Sequence, residues 1–513
     1  MTSQSLASAL EEFLSESNSA VVIEDGAVVF DFAQTKYSVS GENNKCLLHM
    51  WSPERNVVRR VLDLNARGET LRVTVQKIGQ ARPSQLEICR ERDRRTPSAK
   101  RAARVAYQRV LERVLRKHFA DFTIAQLSTS IDLEKSFGPV YARGLLKRGQ
   151  SGFALLGVNS QELQASIDAS LTFGILWLDV CRQAQAGKLV IEGLKLFVPD
   201  GCSEVVRARM AHLNASLAKW QLYELQERSE EIKSIEVADS GNISTRLVQC
   251  VDETQAFTRF ESSIALVRTL MPEVELGVIS PAEIAFRCFG LEFARARLSA
   301  RPGQFLSEPE IVFGLGPHER VLEASNFQQF ERLVRNVGEV RHAEGPSDEK
   351  LWRLHPERWL ESLVATNISS LDGQFDPRWR YSQVPAFSAS DRAMIDVLAL
   401  TREGRLAVIE LKADEDIHLP LQGIDYWSRV AWHHERGEFQ KFGYFGGYEL
   451  SARSPLLIMV APALRVHPAT DTLLRYVSPE IEWTILGIDE RWRKQVRVVF
   501  RKRADKSQLK IAV

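Results

Sequence analysis

AMIDVLALTREGRLAVIELKADEDIHLPLQGIDYW, residues 393–427, sets acids, a lysine and a glutamine–tyrosine pair at spacings that chemistry can use. Two apolar runs, residues 394–400 and 406–411, flank Thr401-Arg402-Glu403-Gly404-Arg405. A short glycine-containing connector between such runs predicts a β-hairpin. Successive strand residues point to opposite faces, so Leu406, Val408, Glu410 and Lys412 share one face while Ala407, Ile409 and Leu411 share the other. The E-x-K spacing therefore makes the acid and the lysine neighbours. With the hairpin centred on Glu403, Asp396 lies opposite Glu410, Cβ atoms roughly 5 Å apart, or one residue off if Gly404 makes a bulge.

Two carboxylates facing each other between apolar strands repel unless something positive sits between them. A hard divalent cation, Mg²⁺ or Mn²⁺, suits that place, because carboxylate and carbonyl oxygens are its preferred ligands. Asp396, Glu410 and the backbone carbonyl of Leu411 would supply part of a shell, with room for a phosphate and a water. Lys412 beside it would orient or deprotonate the water, or neutralise charge on the phosphate. The plain alternative is a salt bridge between Lys412 and one acid in a half-exposed hairpin.

The flanking sequence adds to the first reading. Upstream, Pro356 opens an amphipathic helix with Trp359, Leu360, Leu363, Val364 and Ile368 at helical spacing, and Glu361 at the edge of that face. Downstream, after a loop holding Asp414, Glu415 and Asp416, Gln422 and Tyr426 are four apart and share a helix face. This order of helix with Glu, hairpin with Asp and ExK, then helix with QxxxY resembles the PD-(D/E)XK nuclease superfamily, and within it the RecB-type and NucS-type nuclease domains. The resemblance covers roughly residues 354–499, with Ile395 where the superfamily's name puts proline. It implies a restriction-endonuclease-like α/β core with a mixed sheet, in which Asp396 and Glu410 hold the metal and Lys412 is catalytic. It further implies that Glu361 supports the metal site, and that Gln422 and Tyr426 shape the site and touch the nucleic acid.

The whole chain, 513 residues with 44% apolar and 26% charged content, reads as an α/β multidomain protein with real cores. A formal net charge of +1 gives no global pull on nucleic acid, so a binding surface must be local. No apolar run approaches the ~20 residues of a membrane span. Six scattered cysteines, without CxxC, argue against a zinc site or a disulfide framework. With no basic leader at the start, a cytoplasmic location is expected.

Four domains are expected. Residues 1–96 read as short strands, a small β-barrel or sandwich. Residues 97–250 read as an α/β domain opening with a basic helix, and 251–345 as a mostly helical connector in which Ser280-Pro281-Ala282-Glu283 caps a helix running to about residue 299. Residues 346–513 form the nuclease domain. Residues 90–118 hold eleven Lys or Arg, and Arg104, Arg109, Arg113 and Lys117 on this helix could neutralise phosphates or simply be solvated. Arg429 and Arg436 extend the candidate nucleic-acid contacts after Tyr426, and the neighbouring pair His433-His434 reads as part of a loop. Glu192 and Lys195, three apart, would face opposite sides of their strand and read as structural. No internal repeat is visible in the sequence.

These readings converge on a Mg²⁺-dependent nuclease acting on phosphodiester bonds, DNA more than RNA, in repair or defence. The alternatives are a non-catalytic DNA-binding scaffold that retains the fold, and an RNA-directed or defence nuclease. A homodimer or a partner protein stays open.

Overall fold

The structure, a computed structural model, describes residues 3–504 except 16–19, 25–26, 33–35, 41–45, 52–55, 68–69, 78–82, 91–96, 133–136, 238–244, 300–307, 316–318 and 388–391. Arg92, Arg94 and Arg95 of the basic run thus lie outside the described residues. The chain divides into two units, each assembled from two separated segments: residues 1–94 with 251–354, and 95–250 with 355–513. The sequence boundaries expected after residues 96, 250 and 345 compare with changes of unit after Arg94, Cys250 and Leu354. No helix among the described residues is long and apolar enough to cross a membrane.

In the first unit, the strands of residues 21–89 form one seven-stranded antiparallel sheet, a half-barrel. The helix Ser3–Ser15 lays Leu6, Leu10, Phe13 and Leu14 on it, against a core that includes Val22, Leu48, Val73 and Leu86. The later segment of this unit corrects the helical expectation. Residues 275–299 are three antiparallel strands, Glu275–Ser280, Glu283–Cys288 and Leu291–Ser299, within a five-stranded sheet. Pro281 and Ala282 form the connection between the first two strands, not a helix start. The two-residue alternation of buried Ile284, Phe286 and Cys288 with partly exposed Glu283 and Arg287 outweighed the local capping signal. Arg295 pairs across strands with Glu283 and along its own strand with Glu292, and Arg297 pairs across strands with Glu310 at 2.8 Å, so these cations are held in ion pairs of the sheet.

The second unit holds two mixed sheets. Its first half runs α1 (Pro97–His118), β1 (Thr123–Ser128), β2 (Tyr141–Arg148), β3 (Ser151–Val158), α2 (Ser170–Ala184), β4 (Val190–Pro199), α3 (Glu204–Met210), β5 (Lys219–Gln226) and β6 (Glu231–Ile235). Residues 204–226, which hold a long run of helix-forming side chains, divide into the short helix α3 and the strand β5. The second half runs α4 (Pro356–Thr366), β7 (Phe375–Phe387), β8 (Arg392–Thr401), β9 (Leu406–Leu411), α5 (Leu419–Glu435), β10 (Leu456–Pro462), α6 (Thr470–Arg475), β11 (Trp483–Ile488) and β12 (Val498–Arg503).

The two halves repeat one plan. In each, three strands pair antiparallel, a helix leads to a parallel fourth, a shorter helix leads to a parallel fifth, and the sixth closes antiparallel. The second half adds one edge pairing, from Arg246–Leu247 to β7. The repeat lies in strand order, which side-chain composition does not display, and the sequence shows none of it.

The halves share one apolar cluster. Leu171, Ile175 and Leu178 of α2, Leu421, Ile424 and Trp427 of α5, and Leu473 and Leu474 of α6 belong to it. Polar pins cross the same seam: Arg209 with Asp425 at 2.6 Å, Arg475 with Asp179 at 3.0 Å, and Asn214 N–H donating to the Tyr476 carbonyl at 2.8 Å. Arg209 and Asp425 are both largely buried, so losing either partner would strand a charge in a dry seam.

Candidate active site

The hairpin β8–β9 pairs Val397 with Ile409, Leu398 with Val408 and Leu400 with Leu406. Continuing that register sets Asp396 across from Glu410, with no offset at Gly404. Gly404 instead takes φ +78 in the turn, where an added Cβ would meet the Glu449 carbonyl at 2.7 Å. The face carrying Leu398, Leu400, Leu406 and Val408 packs into the core shared with α5. Asp396, Glu410 and Lys412 therefore project toward α5 at the open end of that face.

Glu410 is 2% exposed and Lys412 only 11%, with Lys412 Nζ 3.2 Å from Glu410 Oε1. Asp396 Oδ2 accepts the Leu411 N–H at 2.9 Å, so the strand backbone fixes that carboxylate. Burial, then the nearby Asp396 carboxylate, push the Glu410 pKa well above the usual carboxylate range. Burial also raises Asp396, against the Leu411 N–H and Lys412. Burial works against the charge on Lys412, but Glu410, Glu357, Asp396 and Asp416 outweigh it and its pKa rises. The acids around Lys412 favour its charged form, which suits it to holding a phosphate. Glu410 Oε2 is buried with no hydrogen-bond donor, and Gln422 Oε1 on α5 is in the same state.

Tyr426 is raised by burial and then by the charges of Glu410 and Asp396, which brings its hydroxyl into the same field. Glu361 is buried on α4, but its Oε2 accepts from Gln383 Nε2 at 2.6 Å and Arg358 Nη1 at 2.9 Å. The α4 acid beside the centre is Glu357, one turn earlier, 3.9 Å from Lys412 Nζ. Burial raises its pKa, with Asp396 and Asp416 adding to the rise. Sequence reasoning passed it over, although Pro356 puts it at the start of α4 and its i, i+4 relation to Glu361 puts both on one face. Asp416, from the acidic loop, stands 3.8 Å from Lys412. Among the described residues no group of three His, Cys, Asp or Glu side chains is placed to hold a metal ion. The donor set nevertheless fits a hard cation in kind, since two carboxylates and a donorless buried carboxylate oxygen are what such an ion satisfies.

The remaining candidates scatter. Arg104 forms a two-pronged pair with Glu162, at 2.7 and 3.1 Å. Arg113 and Lys117 pair with Glu230 and Glu231. The apolar face of α1 is Tyr107, Leu111, Val114 and Leu115. Arg109 is exposed and, among the described residues, has no ion pair. Arg109→Glu should therefore weaken binding to a duplex oligonucleotide about threefold and lower its salt dependence, while Arg104→Glu should chiefly lower the melting temperature; equal duplex affinity for wild type and Arg109→Glu returns the helix to a solvated face. Arg436 stacks on Trp432, guanidinium carbon 3.2 Å from the ring centroid, and the charge of Arg429 offsets a small part of the rise at Tyr426. His433 lies inside α5, not in a loop, bonded to Glu438 and to Thr245 Oγ1 at 3.0 Å, so it pins the helix end. In the first half, Glu192 sits at a register shift of β3–β4 and pairs with Lys219 at 2.6 Å. Lys195 is buried among Phe119, Phe153 and Tyr223, and burial pushes its pKa down to about 8.

No protein-family model and no curated protein sequence matches the chain. Among solved structures, a repair endonuclease from Pyrococcus abyssi is similar at 11% identity, over 40% of this chain and 88% of that one, with a TM-score of 0.15.

Proposed function

We propose that this protein is a metal-dependent nuclease that hydrolyses phosphodiester bonds, DNA before RNA, at the Asp396–Glu410–Lys412 centre. One observation carries the reading: the buried Glu410 faces Asp396 across the hairpin, one of its oxygens has no donor, and Lys412 stands 3.2 Å from the other. When bound there, Mg²⁺ or Mn²⁺ supplies positive charge to a phosphate and acidity to a water. Asp396 and Glu410 hold the charge that requires the ion, and the Leu411 N–H fixes the first of them. Lys412 neutralises and positions the phosphate. Tyr426 and Gln422, on one face of α5, close the site opposite the hairpin. Glu357 and Asp416 keep Lys412 charged, and Glu361 anchors α4 to Gln383 on β7.

The scaffold reading draws on one observation, that no third acid is placed as a ligand among the described residues. A single assay separates the two: full-length protein with labelled single-stranded, duplex, mismatched, branched and RNA substrates, in Mg²⁺, Mn²⁺ or EDTA. Cleavage that needs the ion supports the nuclease; binding with no cleavage in any ion replaces it with the scaffold.

A further inference from the structure

The repeated plan allows the two halves to be aligned position by position, without sequence similarity. Counting outward from the hairpin turn, the helix-facing pairs of the second half are Leu400–Leu406, Leu398–Val408 and Asp396–Glu410. In the first half they are Lys147–Gly152, Leu145–Ala154 and Arg143–Leu156. The third pair, which holds the acids in one half, holds Arg143 and Leu156 in the other, and Val158 takes the place of Lys412. The helix that follows keeps its role: Tyr426 of α5 stands over the acids, and Trp177 of α2 donates its indole N–H to the Gly144 carbonyl at 2.7 Å, beside Arg143.

Among the described residues those counterpart positions carry no carboxylate, and a cation stands where the other half has acids. Arg143 is 4% exposed, and its Nε and Nη1 are buried with no acceptor. Only Nη2 is engaged, by the Ser130 carbonyl, while the guanidinium lies 4.9 Å from the Phe137 ring centroid and 5.7 Å from that of Trp177. A buried guanidinium with two idle donors is an expensive arrangement unless an acceptor completes it. Arg143 and Trp177 line a cavity of about 470 Å³, whose wall also includes Gln126, Ser128, Ser130 and Asp132. The two serine hydroxyls are 2.6 Å apart, so one of them keeps a proton free to donate outward. Asp132 is the acid of this wall and its charge acts on the guanidinium, which burial disfavours; the donors of the guanidinium with a hydroxyl beside them suit a tetrahedral oxyanion.

We propose that this cavity is a phosphate-binding site, made from the degenerate counterpart of the catalytic centre, and that it holds a backbone phosphate of the nucleic acid whose cleavage takes place in the other half. That the phosphate belongs to a nucleic acid rests on the nuclease reading; that a phosphate binds at Arg143 does not. The ligand accepts from the second hydrogen of Nη2 together with Nε or Nη1 beside it, the two forks a guanidinium offers, and the serine hydroxyl supplies a third bond.

The test uses the full chain in EDTA, so that no ion-dependent cleavage enters. Inorganic phosphate is titrated against chloride at matched ionic strength while the melting temperature is followed. Wild type should rise with the logarithm of phosphate concentration. Arg143→Met, which keeps the stem against Phe137 and Trp177, should fold and lose that rise, with phosphate bound about tenfold or more weakly. Arg143→Lys should retain part of it. A wild-type melting curve that phosphate does not move, or an Arg143→Met curve that moves as far as wild type, overturns the site. A competition arm reads the source: a short duplex that displaces phosphate from wild type identifies the phosphate as a strand's, whereas phosphate binding that duplex leaves untouched removes the nucleic-acid half of the proposal and keeps the site. Failure of cleavage in the ion-containing assay would remove the nuclease reading and leave the phosphate titration unaffected.

Discussion

Glu410→Ala lowers the rate of ion-dependent cleavage by roughly a thousandfold or more, and Asp396→Ala and Lys412→Ala do so to a similar degree, because the three act as one unit and their losses do not add. Glu410 is the most demanding test, since its outer oxygen has no other role in the fold. Removing a buried carboxylate that the neighbouring acid repels should leave the ion-free protein at least as stable as wild type. Steady-state cleavage and a melting curve on the same preparation check both halves of the expectation. Wild-type cleavage by Glu410→Ala would sink the assignment of the site, and a collapsed melting curve would mean that activity was lost with the fold. Glu361→Ala makes a useful contrast, because its bonds to Gln383 and Arg358 predict a loss of stability alongside any loss of rate.

The second large effect couples ion binding to pH. Asp396 and Glu410 both have native pKa values above those of an unfolded chain, so between roughly pH 4, the ordinary carboxylate value, and the raised native values the folded state binds more protons than the unfolded one. Stability of the ion-free protein must fall as pH rises through that window. An ion requires both groups deprotonated, so its affinity grows in the same direction. Mg²⁺ or Mn²⁺ should therefore raise the melting temperature more at pH 8 than at pH 6, and Ca²⁺ should bind while supporting little cleavage. In the Asp396→Asn, Glu410→Gln double variant the ion effect should disappear and the pH slope should shrink to what Glu357 leaves. Coincident wild-type and double-variant curves in all three ions would show that no metal occupies this hairpin.

The candidate site was legible because strand alternation is a strong local constraint. The offset of Asp396 and Glu410 from a five-residue connector was enough to place them across from each other, and the spacing of Gln422 and Tyr426 was enough to place them on one helix face. What the sequence hid was decided by tertiary context. The Ser280-Pro281-Ala282-Glu283 signal is a fair helix start in isolation, yet buried Ile284 and Phe286 need a sheet to pack on. Glu361 stands out in the sequence at the edge of the apolar stripe, and only the approach of Lys412 to Glu357 shows which turn of α4 reaches the hairpin. The cations of α1 carry their partners on elements more than fifty residues away, such as Glu162 and Glu230, which no local pattern announces. The first half is hidden for a plainer reason: its acid and lysine, Glu192 and Lys195, are structural, and the position across from Leu156 that corresponds to Asp396 is Arg143.

Two identical subunits must accept every substitution twice. A change that turns an acid into an arginine in a symmetric pair would disarm both members at once. Here the two copies of the fold lie in one chain, pinned by Arg209 with Asp425 and Arg475 with Asp179. Each copy is therefore free to vary on its own, and one could lose its carboxylates while its partner kept them. Joining the copies end to end is what makes such a division of labour heritable.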